Sequence, residues 1–99
     1  MQSRYEAEFS RDMACSAAEW LSRLPLACEP NAVVVGADAA VVDFSTGRLL
    51  LTWSPLPDRV IALLRMPRLW VRFQFEGLAD DDRQAFMKRF DLTMQRGGG

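Results

Sequence analysis

Ninety-nine residues suffice for one small domain with a single core and leave no room for a large internal cavity. Hydrophobic residues at 49% and charged residues at 25% are globular averages, which excludes disordered, collagen-like and disulfide-scaffold classes. Twelve Lys plus Arg against thirteen Asp plus Glu leave a net charge of -1, so no global field favours nucleic acid, an anionic membrane or an acidic substrate; any such affinity has to come from a local patch.

The chain opens with strict alternation over residues 4–9. Tyr5, Ala7 and Phe9 point one way and Arg4, Glu6 and Glu8 the other, the pattern of a half-buried strand. Ser16 and Glu19 have capping-box spacing, and Ala17, Trp20, Leu21 and Leu24 recur at helical spacing, so a first helix is expected over 17–24. Pro25 and Pro30 should bracket the turn that follows, because neither donates a backbone hydrogen bond and each disfavours helix in the residue before it. A helix of that length spans roughly 12 Å, whereas a disulfide needs Cα atoms within about 7 Å. Cys15 and Cys28 are therefore expected as reduced, structural thiols.

Five further stretches read as strands: 32–35, 40–45, 48–53, 60–66 and 68–76, with turns near 36–38, 46–47, 55–58 and 66–67. The expected pairs are Val35 with Ala40, Phe44 with Leu49, Trp53 with Val60, and Leu64 with Leu69. Every loop between them has an even residue count, so one parity carries through the meander. The core face then collects Val33, Val35, Val42, Phe44, Leu49, Leu51, Trp53, Val60, Ala62, Leu64, Leu69, Val71, Phe73 and Phe75. Asp80, Asp81 and Asp82 mark the start of a second helix, whose positive end they complement. Its apolar stripe is Phe86, Met87, Phe90 and Met94, and it stops at Arg96 and Gly97.

The expected fold is thus one α+β domain over 1–96 with a flexible glycine tail at 97–99. A strand, a helix, an antiparallel meander and a helix form one curved sheet, with both helices on one face. This element order resembles the half-repeat of TATA-binding-protein-like folds and, more loosely, a small helix-grip domain. The resemblance covers nearly the whole chain as topology, and no residue motif of either family is matched. It implies either a sheet saddle for nucleic acid or a sheet and long helix around an apolar ligand, and it carries no site residues with it.

The chain contains no histidine, which removes the usual general base, the commonest transition-metal ligand and the Ser-His and Cys-His nucleophile pairs. Three consecutive aspartates at a helix start diverge, so zinc or calcium chemistry is not expected. Cys15, just before a helix N-terminus, is the one thiol whose position favours thiolate, and no resolving cysteine lies at CxxC spacing. Glu6, Glu8 and Asp43 fit outward strand faces better than a shared acid-base pocket. Neither catalytic residues nor a cofactor is expected. No apolar run reaches the ~20 residues of a membrane span, and residues 1–12 lack the apolar region of a signal peptide, which points to the cytoplasm.

The informative feature is the second sheet face. It carries Val34, Val41, Leu50, Ile61, Leu63 and Trp70 among Asp43, Thr52, Arg65, Arg68 and Arg72, and two helices cover only one face. Pairing 60–66 with 68–74 sets Leu63 opposite Trp70, Ile61 opposite Arg72 and Arg65 opposite Arg68. The expectation is a homodimer or protein complex with Val41, Leu50, Ile61, Leu63 and Trp70 as contacts and Arg68 and Arg72 nearer the rim. The alternatives are an oligonucleotide platform using Trp70, Arg65, Arg68 and Arg72, or a small apolar ligand.

Overall fold

The computed structural model describes residues 4–97. Five strands, β1 (Glu8–Met13), β2 (Val33–Val35), β3 (Ala39–Asp43), β4 (Arg48–Ile61) and β5 (Leu64–Glu76), form one antiparallel sheet in the order β1-β5-β4-β3-β2. Helices α1 (Ala17–Cys28) and α2 (Asp80–Gly97) complete the expected α+β class.

Both helices lie on the same face. Alternate residues of the strands, among them Val42, Leu49, Leu51, Leu69, Val71 and Phe73, are fully buried against Trp20 and Leu24 of α1 and Phe86, Met87 and Phe90 of α2. Edge-on ring contacts tie the layers together: Trp20 meets Trp53 at 5.6 Å and Phe90 at 5.9 Å, Phe73 meets Phe90 at 5.6 Å, and Phe44 meets Phe86 at 5.0 Å. Such pairs add to the burial of large apolar areas. The β3–β4 turn is pressed against the start of the β5–α2 connection. A Cβ on Gly47 would stand 2.1 Å from the Glu76 carbonyl oxygen, and Gly77 has φ +81, so both positions need glycine.

Ser16 and Glu19 form the capping box: the Glu19 N–H donates to Ser16 Oγ at 3.1 Å and the Ser16 N–H to Glu19 Oε1 at 3.0 Å. The helix does not end at Leu24, however; it runs through Pro25 to Cys28. Ala27 and Cys28 are buried beneath it, and seating that last turn in the core outweighs the backbone hydrogen bond that Pro25 forfeits. At α2 the first helical hydrogen bond runs from the Arg83 N–H to the Ala79 carbonyl, which sets all three aspartates in the first turn. Gly97 closes α2, and the rest of the expected tail lies outside the described residues.

Two strand assignments differ from expectation. The first strand lies at Glu8–Met13, not 4–9, because the backbone of Tyr5 is taken by α2. The Tyr5 N–H donates to Gln84 Oε1 at 2.9 Å, and its carbonyl accepts from Gln84 Nε2 at 2.6 Å and Arg83 Nε at 3.0 Å. More consequentially, 48–53, 60–66 and 68–76 are not three strands with turns at 55–58 and 66–67. They form a single long hairpin of β4 and β5 that turns at Ala62 and Leu63.

Pro55, Pro57 and Pro67 suggested breaks, yet each has its missing donor on an open edge. Trp53 donates toward β3, reaching the Asp38 carbonyl at 3.0 Å, so Pro55 and Pro57, two and four residues on, face the same side where β3 has ended. Phe75 donates to the Ala7 carbonyl on the β1 side, and Pro67 shares that phase beyond the end of β1. Edge positions are where sheets accept proline. The expected pairs Phe44 with Leu49, Trp53 with Val60 and Leu64 with Leu69 are replaced by Val42 with Leu49, Trp53 with Val71 and Ile61 with Leu64. Val35 on the edge strand β2 and Val60, Ala62 and Leu64 on the hairpin, all expected in the core, are exposed.

Candidate interaction surface

β3 pairs with β4 only as far as Thr52, and β1 pairs with β5 only as far as Leu69. Past those points the β4–β5 hairpin continues alone as a two-stranded arm with exposed side chains on both faces, and it contributes to a molecule 47 Å in its longest extent. A register shift between Leu56 and Arg59 sets Pro57 and Asp58 against Pro67 alone. This is a β-bulge, and it reverses which β4 residues face outward.

The arm ends in an apolar tip. Ile61 pairs with Leu64, Val60 pairs with Arg65, and Leu63 is 100% exposed at the turn. Two-residue hairpin turns favour Gly, Asn or Asp because at least one central residue needs positive φ. Here Ala62 takes φ +54 with a Cβ in place.

The outer face of the sheet holds most of the expected contacts but divides them. Val34, Val41 and Leu50 form one row across β2, β3 and β4, and Trp70, 44% exposed, lies two rows away beside Ser54. Ile61 and Leu63 are not with them. They stand on the arm, roughly 20 Å beyond Trp70 at about 3.3 Å per residue. The expected juxtapositions of Leu63 with Trp70, Ile61 with Arg72 and Arg65 with Arg68 do not occur; Ser54 faces Trp70, Thr52 faces Arg72 and Val60 faces Arg65. Arg65 falls on the opposite side of the ribbon, because the two strands run on through the proline-bearing residues where turns are expected.

Carboxylates accompany these arginines. Arg72 pairs with Glu8 across β1 and β5. Arg68 grips Asp12 with contacts of 2.6 to 3.2 Å, and these hydrogen bonds hold the Asp12 carboxyl below the usual range. Arg59 approaches Asp12 at 3.8 Å and Arg65 approaches Asp58 at 3.9 Å, both loose and exposed. Arg48 and Glu76 pair at 2.8 Å along the other end of the sheet.

One polar cluster on the helix side escaped the sequence reading. Arg11 sits between Phe9 and Met13 in the inward phase of β1, with its guanidinium 5.3 to 5.6 Å from the ring centres of Phe9, Phe73 and Tyr5. It donates to both carboxylate oxygens of Asp91 on α2, at 2.6 and 3.0 Å, and the Tyr5 hydroxyl donates to the same carboxylate. Burial and the Asp91 carboxylate push the Tyr5 hydroxyl pKa upward. The cluster latches β1 to α2. Its sequence signal was a charged residue in the inward phase of a strand answered by an aspartate on the buried side of a helix.

Cys15 and Cys28 are free thiols buried in the core. Burial and the charge of Glu19 raise the Cys15 pKa, the opposite of thiolate activation, and burial pushes Cys28 up to about 12. Asp80 accepts from Arg4, Arg83 and Gln84. Among the described residues no group of three or more His, Cys, Asp or Glu is placed to hold a metal ion, and no helix is long and apolar enough to cross a membrane. A recess of about 210 Å³ lies between the β3–β4 turn and α2, and one of about 150 Å³ beside Asp12 and Pro67. Both are smaller than the roughly 300 Å³ at which small-molecule pockets begin. No protein-family model, curated protein or solved structure matches this chain.

Proposed function

We propose that the protein is a non-catalytic association domain that meets a second copy of itself, or another protein, across the outer face of its sheet. Val41, Leu50 and Trp70 are the central contacts and Arg68 and Arg72 the rim; Ile61 and Leu63 extend the apolar surface outward along the arm. The observation that supports this reading is the layering. Both helices pack on one face, leaving the Val34–Val41–Leu50 row and Trp70 without cover. Buried thiols fit a reducing compartment, and we place the protein in the cytoplasm.

The oligonucleotide alternative draws on Trp70, Arg65, Arg68 and Arg72, whose positive charge is offset here by Asp58, Asp12 and Glu8. Light scattering of wild type and Trp70→Ala across a salt series separates the two. The proposal expects a dimer that persists at high salt and is weakened by Trp70→Ala. Trp20 and Trp53 are buried, so fluorescence quenching by short oligonucleotides reports on Trp70. A monomer at high concentration that is quenched at low salt overturns the proposal in favour of nucleic acid.

A further inference from the structure

The arm's tip has a composition that neither the sheet face nor the core explains. Apolar side chains surround it: Val60 on the side continuous with the core face, Ile61, Leu64 and Met66 on the side continuous with the outer face, and Leu63 at the end. A flat protein partner covers one face of a ribbon, whereas this tip presents apolar side chains on both faces and at its turn. The turn itself carries Ala62 and Leu63 where Gly, Asn or Asp would relieve the positive φ of +54 at Ala62. Behind the terminal Ile61–Leu64 pair stand Arg65, across from Val60, and Arg59, across from Met66, each in a loose ion pair longer than a hydrogen bond. Their donors can exchange carboxylate for phosphate while their aliphatic stems lie along the apolar rows.

We propose that this tip inserts into the interfacial layer of an anionic lipid bilayer, with Ile61, Leu63 and Leu64 among the upper acyl chains, Val60 at their boundary, and Arg59 and Arg65 at the phosphates. The dimensions agree. Arg59 and Arg65 lie two to three residues behind the turn, roughly 7 to 10 Å at about 3.3 Å per residue. Interfacial elements bury their apolar side roughly 5 to 10 Å deep. The charge agrees locally even though the chain is net negative: Arg59, Arg65 and Arg68 outnumber Asp58 and Asp12 around the arm. The site shares Ile61 and Leu63 with the outward extension of the proposed association surface and none of its central contacts Val41, Leu50 and Trp70.

The test uses the full chain with Leu63→Cys carrying an environment-sensitive fluorophore, selective because Cys15 and Cys28 are buried. It is mixed with vesicles of phosphatidylcholine containing roughly a quarter phosphatidylglycerol. The expected result is a blue shift, quenching by lipids brominated in the upper acyl chain, and flotation of the unlabelled wild type with the vesicles. Leu63→Asp with Leu64→Asp lowers flotation at least tenfold and leaves the fold intact, since these side chains are 100% and 65% exposed. Arg59→Gln with Arg65→Gln lowers it on the order of tenfold on anionic vesicles and little on pure phosphatidylcholine. Absence of wild-type flotation overturns the proposal, as does unchanged flotation of the Leu63→Asp, Leu64→Asp variant. So does a blue shift that grows with protein concentration without vesicles, because a protein then holds the tip. A chain that floats but never dimerises refutes the association reading alone, and a dimer that never floats refutes the lipid reading alone.

Discussion

At the residue scale the informative side chain is Arg11, a charge in the inward phase of a strand. Alternation over Phe9, Arg11 and Met13 was present in the sequence, but an arginine at the middle position reads as the end of the strand. What makes it an inward residue is Asp91, eighty positions away, and no local pattern announces such a partner. Removing one member leaves the other charge desolvated, so Arg11→Met should cost about 2 kcal/mol, less than for a fully buried pair because both side chains keep about a fifth of their exposure. Adding Asp91→Asn, whose amide oxygen still accepts from Tyr5, should recover roughly half in urea unfolding, since it removes the orphaned charge. A double variant as unstable as the sum of the two singles refutes the pairing. Cys28 makes a separate prediction about pH. Its folded thiol pKa is raised from 9.0 to about 12, so the unfolded chain gives up this proton first as pH rises. Stability from this group is complete below about pH 9 and drains toward pH 12, by about 4 kcal/mol in all. Cys28→Ala should remove its share of the decline that begins near pH 9 and leave the share of Cys15, whose pKa is also raised. A further decline should start near pH 10, where unfolded Tyr5 ionises before the folded hydroxyl, whose pKa is raised.

At the scale of elements, proline decided where the sequence could be read. The capping box at Ser16 and Glu19 and the stripe of Phe86, Met87, Phe90 and Met94 involve neighbours in the chain, and both are found as expected. Pro25, Pro55, Pro57 and Pro67 all predict breaks by local rules, and none of them ends its element. In the arm this costs little, because the absent donors face open edges. In α1 it does cost, because Pro25 withholds a hydrogen bond from the Leu21 carbonyl and crowds that turn. Pro25 is exposed, so Pro25→Ala removes no core contact. It should stabilise the protein by about 1 to 2 kcal/mol after allowance for the freer unfolded chain, and raise Tm by roughly 5 to 10 °C. A lower Tm in calorimetry would mean that the rigid Pro25 ring itself helps to seat the helix.

At the scale of the molecule, the two-faced character of the sheet was legible although the strand count was not. Val41, Leu50, Trp70, Arg68 and Arg72 lie on the outer face as parity required, because strand phase survives even when a turn is misplaced by an even number of residues. The arm was illegible for a physical reason. Residues 60–66 are as apolar as a core strand, and sequence pattern does not distinguish burial in the protein's own core from exposure on an extension. The structure makes the distinction. Leu51, Trp53, Leu69 and Val71 are buried against the helices, whereas no residue from 57 to 67 is buried. The arm should therefore be separable from the domain. Replacing residues 57–67 with Asn-Gly retains the Leu56–Arg68 pair, whose backbone groups face each other across the β4–β5 ladder, and closes it with a two-residue turn suited to antiparallel strands. Urea unfolding of this shortened chain should stay cooperative and within about 1 kcal/mol of wild type, because the deletion removes little buried apolar surface. Near-ultraviolet circular dichroism should keep the signal of the packed Trp20 and Trp53 rings. The proposed sheet-face dimer should persist while vesicle flotation disappears. Loss of the aromatic signal or of cooperativity would show that the arm belongs to the domain's core, and loss of the dimer would move the association surface from the sheet to the arm.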